Sequence, residues 1–542
     1  MSEPVSVHDG PFSTNALPSK LLLVPYIILI WISMLTVLFE FYFYIKILPN
    51  LLIFVFLFPF FIIIVYFTLF FTSLLFSKLF LLIVNKIHPP KEGIFRREKS
   101  ESEYYFWCLR SILKKWTIWL AKFFPSQILD IILLKVYGVK IPFTSSVNNV
   151  LIDTEFIRIG KNVSIGPNSY VRSSMIIDEF LIIKSVDIDD EVCIGSRVFI
   201  SPGTKVNENA MINSYSVTKY GQSIEANSFY EGYPAGTKSN LENPENFFKI
   251  SNLQTLHNEG FIYQDFKSKL NSSEKSNNKF LKNMPQNILI FLLIYTFSYN
   301  IPVYLFLYYN NTFLFPIFIS SSTVMDFIFN LQYLFIILFT PFFYLILYFL
   351  HLLLTNIIGK SIYYLYNRNM KRFTQGTFHW SKKDIYYEYY FTHSFLMRLL
   401  KWKVQRSIFP WITKWTFSYI ANFKIGKNTV LEDCYLAKDY LEIGSNCYIG
   451  KILLTNHLWG ENLFVKEIII KDNVVISDGS SISPGTIVKE KVTILPLSST
   501  LKSEGLDGKT QYFNTPINQL SEKKLISKYN LNFKELENEQ KR

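Results

Sequence analysis

Cysteine is scarce in this chain of 542 residues: Cys108, Cys193, Cys434 and Cys447 stand far apart, with no C-x-x-C pair. That spacing argues against a zinc ribbon and suits a reducing compartment. Histidine is also scarce, at seven residues. No basic n-region or small-residue cleavage site precedes the first apolar run, so a cleavable signal peptide is not expected. Few charges interrupt the apolar runs (Glu40, Lys46, Lys78 and Asp326), which gives an ion pathway little support. Acidic residues are outnumbered, 42 against 55 Lys and Arg, for a net charge of +13.

Apolar residues are abundant instead: 49% of the chain is hydrophobic and 17% aromatic. The excess is concentrated in 20–86 and 286–360, each too long for one core helix. A bilayer core of about 30 Å needs roughly 20 apolar residues per helix, so each block reads as two transmembrane helices. Residues 312–330 are a candidate for a fifth span or a re-entrant piece. Lys86, Lys91, Arg96, Arg97, Lys99, Arg110, Lys114 and Lys115 follow the first block; Lys360, Arg368, Lys371, Arg372, Lys382 and Lys383 follow the second. The tail before the first block carries only Lys20. The positive-inside rule then places both later regions in the cytoplasm, on an integral protein of the cytoplasmic membrane. Juxtamembrane basic residues point to anionic lipid rather than nucleic acid.

Outside these blocks an aliphatic residue recurs every sixth position. One run reads Ile159, Ile165, Val171, Ile177, then Ile188, Ile194, Ile200, Val206, Ile212; another reads Ile425, Leu431, Ile443, Ile449, then Ile470, Ile476, Ile482, Val488, Ile494. A period of six is neither 3.6 nor 2. It predicts a parallel β-helix in which each hexad forms one flat face and points its aliphatic residue inward. Gly, Asn and Asp turn the corners.

The two runs belong to a tandem repeat of the whole chain. "EGIFRREKSESEYYF" from Glu92 resembles "QGTFHWSKKDIYYEYYF" from Gln375, "ISPGTKV" from Ile200 matches "ISPGTIV" from Ile482, and Ile141 to Val171 aligns without a gap on Ile425 to Thr455. The expected fold is membrane α plus β: two tandem left-handed parallel β-helix domains, each preceded by a pair of transmembrane helices and a juxtamembrane amphipathic helix. The boundaries are an N-terminal tail 1–19, helices 20–86, basic-aromatic segment 87–137, first β-helix 138–239, linker 240–285, helices 286–360, basic-aromatic segment 361–421, second β-helix 422–519 and charged tail 520–542. The basic-aromatic segments suit helices lying in the membrane interface or capping the open ends of the β-helices.

Of the seven histidines only His457 lies within a hexad run, in "LLTNHLWGENLFVKEIII", where the period stops after Ile449 and resumes at Ile470. That is the pattern of a loop leaving and rejoining the coil. The second run resembles the hexapeptide-repeat acyltransferases of the maltose and galactoside acetyltransferase kind, whose T-x-x-H, loop and renewed hexads are approximated by Thr455-Asn456-His457, one residue shorter. The family's asparagine two coils upstream would fall near Val430 or Glu432 and has no match. The whole layout resembles the membrane-bound C-terminal region of poly-lysine-synthetase-type non-ribosomal peptide synthetases, of which only the terminal part, without adenylation or carrier domains, is represented.

The resemblance implies an acyl- or aminoacyltransferase with His457 as general base, poised near neutral pH. The donor would be acyl-CoA or an acyl-carrier pantetheine, with no permanently bound cofactor. Glu461 and Glu467 are candidates to orient the imidazole, and Asn456 to stabilise an oxyanion. Counted at the gapless offset, Ser173 takes the place of His457 in the first half, which is then catalytically silent. "EGYPAG" (Gly232, Pro234, Ala235) resembles a closing motif near the acyl-CoA groove of such enzymes; the same residues also read as a turn ending the β-helix. No metal is expected, because a three-histidine zinc site lacks ligands within the β-helices. Expected partners are the bilayer, a thioester donor, a carrier protein or peptide synthetase, and either a trimer-like assembly or internal pairing of the two β-helices. The rival readings are a non-catalytic scaffold and a transporter with regulatory β-helices.

Overall fold

The computed structural model describes residues 9–47, 51–124, 126–240, 284–368, 375–379, 385–420, 423–437, 440–459 and 462–520. The linker 240–285 and the tail 520–542 lie almost wholly outside these residues. The described helices are α1 (Leu23–Ile47), α2 (Leu51–Ile87), α3 (Ser102–Ala121), α4 (Gln127–Tyr137), α5 (Met284–Tyr309), α6 (Phe315–Ser320), α7 (Met325–Phe329), α8 (Leu331–Arg368), α9 (Ile385–Gln405) and α10 (Ile412–Ile420).

Four stretches are long and apolar enough to cross a membrane: Lys20–Ile47, Leu52–Ile87, Pro285–Ser320 and Leu331–Leu365. Residues 312–320 belong to the third of these, reached from α5 through a π turn at Asn310–Leu314, and α7 is five residues long, so this region adds no fifth span. A helix of 36 residues runs about 54 Å, well beyond a bilayer core of about 30 Å. The far end of α2 therefore continues into the rest of the molecule. There Trp116 Nε1 of α3 donates to Ser73 Oγ (2.9 Å), and Ser77 Oγ donates to the Leu113 carbonyl (2.9 Å). On α8, Gly359 allows α9 to close in, since a Cβ there would lie 2.7 Å from Leu400 Cδ2.

The hexads fold into two three-sided stacks of short parallel strands. In the first, Ile159 pairs with Ile188, and Val206 with both Ile188 and Ile224, an 18-residue turn from Ile188 onward. Ile165, Ile194, Ile212 and Tyr230 form a second ladder, and Val171 and Ile200 a third. In the second stack Ile425, Ile443, Ile470, Val488 and Leu506 align, as do Leu431, Ile449, Ile476, Ile494 and Tyr512. These side chains form two continuous apolar cores. Ile177 is the exception: it leaves the ladder and packs between the stacks.

Each stack is interrupted once. Ile443 pairs with Ile470, 27 residues on instead of 18, and the extra residues make an antiparallel hairpin of His457–Trp459 and Asn462–Val465. Gly376–His379 adds a third strand. The first stack does the same with Ser174–Ile177, Phe180–Ile183 and Gly93–Arg96. The similar segments from Glu92 and Gln375 thus serve equivalent hairpins. Their register corrects the gapless offset by one residue. Gly93 faces Ile183, itself opposite Ser174; Gly376 faces Val465, itself opposite His457. Ser174, not Ser173, stands where His457 does, and Leu454, not Thr455, pairs as Val171 does.

The stacks lie side by side. Arg172 of the first bonds Asp153 (2.7 Å) and reaches Asp478 of the second (2.6 Å). Tyr233 stacks on Phe513 with ring centroids 5.8 Å apart. The N-terminal segment fills the seam: Pro11 and Phe12 pair with Ile152 and Asp153, Thr14 and Asn15 bond Glu432, and Asp9 pairs with Lys451. Helix α4 closes the first core with Ile131 and Leu134, and α10 closes the second with Phe417 and Ile420. The basic residues of α3 do not face a headgroup layer. Arg110 and Lys114 are buried on Glu155, at 3.1 and 2.6 Å, because an unpaired buried cation is too costly.

Candidate functional site

Strand pairing presents His457 at the start of its hairpin, opposite Val465. The ring is buried, at 6% exposure. Thr455 Oγ1 donates to the His457 carbonyl (2.9 Å) and so offers a lone pair to His457 Nδ1 (3.2 Å). Asn456 Oδ1 is 3.4 Å from the same nitrogen. Both of these partners can accept, which favours a proton on Nδ1 and a lone pair on Nε2. Tyr390 of α9 lies against the imidazole, ring centroids 5.4 Å apart.

The other expected residues divide. Asn456 is beside the ring, but its oxygen, an acceptor, faces it. Glu467 does not orient the imidazole: its backbone N–H donates to Gln375 Oε1 (3.1 Å), and its carboxylate accepts from Gln375 Nε2 (3.5 Å). Glu461 lies outside the described residues. Gly232, Pro234 and Ala235 form the tight turn between Ser228–Gly232 and the antiparallel strand Ala235–Asn240, which ends the first stack. In the first hairpin Ser174 Oγ donates to Asp153 Oδ2 (2.6 Å), so the hydroxyl that replaces the imidazole is tied to the carboxylate that holds Arg172.

Sequence reasoning missed a large cavity. It measures about 850 Å³ and opens where the N-terminal segment, α3, α5, α8 and α9 meet the second stack. His457 does not line it. Glu432 and Lys115 do, and burial pushes the Glu432 carboxyl up and pulls the Lys115 ammonium down. Lys403 and His351 line its other end. Burial pulls Lys403 down to about 8. The signal available in the sequence was His351 itself, an ionisable residue inside an apolar run.

No family model matches the chain, and no curated protein matches it. Among solved structures it is similar to a hexapeptide-repeat-containing acetyltransferase from Vibrio cholerae, with 23% identity over 19% of this chain and 64% of that one, at a TM-score of 0.17. It is also similar to a maltose O-acetyltransferase from Clostridium difficile (20% identity, 22% of this chain, 79% of that one, TM-score 0.19). A galactoside acetyltransferase in complex with coenzyme A gives 18% identity, 22% and 75% coverage and a TM-score of 0.18.

Proposed function

We propose that this chain is a membrane-bound acyl- or aminoacyltransferase, built as a tandem duplication of two left-handed β-helices that face the cytoplasm. One observation carries the reading. The period break folds into the same three-stranded element in both stacks, and only the second carries an imidazole, whose partners favour Nδ1 as donor and Nε2 as acceptor. In the reaction His457 Nε2 removes the proton of an acceptor hydroxyl or amine. The freed oxygen or nitrogen attacks the carbonyl carbon of a thioester on CoA or a carrier pantetheine. The C–S bond then breaks, and the sulfur leaves as a thiol carrying the proton from His457.

The membrane reading rests on the four long apolar helices and their exposed flanks, with Leu52, Phe56 and Phe60 bare on α2. A non-catalytic scaffold is the second reading, and it is favoured by the burial of His457 and by its absence from the lining of the large cavity. The two separate on one measurement: transfer from acyl-CoA or an acylated carrier by the purified full chain and by His457→Ala. The transferase reading expects a loss of about 10²–10⁴-fold in kcat/KM for the variant. Undiminished transfer removes His457 as base, and no transfer from any thioester by the unaltered chain supports the scaffold.

A further inference from the structure

The two ends of the large cavity differ in charge balance. At the end formed by the second stack the cations face carboxylates: Lys451 pairs with Asp9, and Lys115 lies in the field of Glu432 and Asp433 while bonding Ser13 and Asn15. At the end formed by the helices they do not. Lys403 is 9% exposed and has no ion pair with a carboxylate among the described residues. Its ammonium lies 3.3 Å from His351 Nε2 and 3.4 Å from Ser298 Oγ, over the rings of Tyr295 (3.9 Å) and Tyr299 (4.8 Å). His351 Nδ1 donates to the Ser298 carbonyl (3.2 Å), which leaves Nε2 as acceptor for Lys403. The ring stacks on Tyr299 at 3.8 Å. This cage fixes the ammonium and leaves its charge uncompensated, apart from the weaker attraction of the rings.

Two further cations, Lys122 and Arg406, line the same cavity, again without an ion pair among the described residues. The same lining carries apolar side chains from the two long helices: Val303 and Phe306 from α5, Leu347 and Leu352 from α8. The same helices turn bare apolar residues outward, such as Tyr304 and Leu307. The cavity therefore joins a fixed buried cation, a basic rim and an apolar channel between two helices long enough to span a bilayer. Its volume lies within the roughly 300–1,000 Å³ of small-molecule sites.

We propose that this cavity binds an amphiphile with an anionic head, carboxylate or phosphate, whose head meets Lys403 and whose chain lies along α5 and α8. The site is separate from His457 and does not depend on the transferase reading. Only a ligand with both parts satisfies both halves of the cavity: a free anion leaves the apolar channel empty, and a neutral lipid leaves the ammonium unpaired.

The test is binding by the full chain in detergent, followed by native mass spectrometry. The probes are phosphatidic acid, phosphatidylcholine with the same chains, palmitate and inorganic phosphate. Phosphatidic acid or palmitate should be retained at least about tenfold better than phosphatidylcholine, and inorganic phosphate should not compete. Lys403→Met should abolish that preference and Lys403→Arg should keep most of it, while His457→Ala should bind as the unaltered chain does. Retention of the anionic lipids by folded Lys403→Met overturns the proposal, as does equal retention of phosphatidylcholine. Competition by inorganic phosphate alone reduces the site to a soluble-anion site. Should Lys403→Met fail to fold, the order of the four probes on the unaltered chain decides by itself.

Discussion

At the corners of the stacks glycine and asparagine do different work. In "IGKN" the glycine is needed for closeness: a Cβ on Gly160 would lie 2.6 Å from the Asp189 carbonyl carbon one coil above. The asparagine two residues on takes the left-handed turn, at φ 55° for Asn162 and 58° for Asn446. The sequence reading grouped these residues as corner formers; the structure separates them, because a coil one strand-spacing away excludes a side chain at one position and not at the other. Gly444→Ala would place its Cβ 2.6 Å from the Lys471 carbonyl carbon and 2.7 Å from the Asp472 nitrogen, both backbone atoms. The expected cost is about 1–3 kcal/mol, read as a lowered Tm of the purified chain. Asn446→Gly, which keeps the turn and adds no atom, should leave Tm nearly unchanged.

At the scale of the element, the hairpins show where a sequence stops being legible. The break in the period between Ile449 and Ile470 was visible because every hexad around it holds its rhythm. The third strand was not, since Gly376–His379 comes from the far side of two helices and is joined only by tertiary pairing. The one-residue slip at Leu454 was hidden for a related reason. Thr455 follows it directly, and only the ladder partner Ile482 distinguishes which of the two points inward. The hairpin also separates two of the residues around His457. Glu467 faces Gln375, and Thr455 holds the ring. Thr455→Val should lower kcat up to about tenfold with little change in KM, the loss of one hydrogen bond of about 0.5–1.5 kcal/mol. Thr455→Ser should restore the rate. A purely structural role would instead lower Tm in Thr455→Val and leave the rate per folded molecule intact.

Across the whole molecule, the joint between the stacks combines a broad apolar contact with one buried charge cluster. Arg172 answers Asp153 in its own stack and Asp478 in the other, and stacks on Phe12 at 3.5 Å. Its loss leaves two carboxylates without their cation in a dry seam. Arg172→Met should therefore cost about 3–5 kcal/mol and lower the Tm of the full chain. Arg172→Lys, a single ammonium in place of a two-armed fork, should recover only part of it. An unchanged Tm in Arg172→Met would mean that water reaches the seam. None of this was readable beforehand. Arg172, Asp153 and Asp478 look like ordinary surface charges on a β-helix until the second stack is set against the first. The large cavity escaped notice for the same reason, since its wall is assembled from segments far apart in the chain.

The segment that fills this seam is made long before one of the two stacks it joins. Thr14 bonds a glutamate 418 residues further on, and Asp9 a lysine 442 residues further on. At roughly 5–20 residues per second, translation keeps these early residues waiting about 20–90 s for their partners. Throughout that time they must remain in the compartment where the second stack will fold. A polypeptide cut short before Leu431 would lack the partners of Thr14 and Asn15 on the second stack and keep only those of Pro11 and Phe12 on the first.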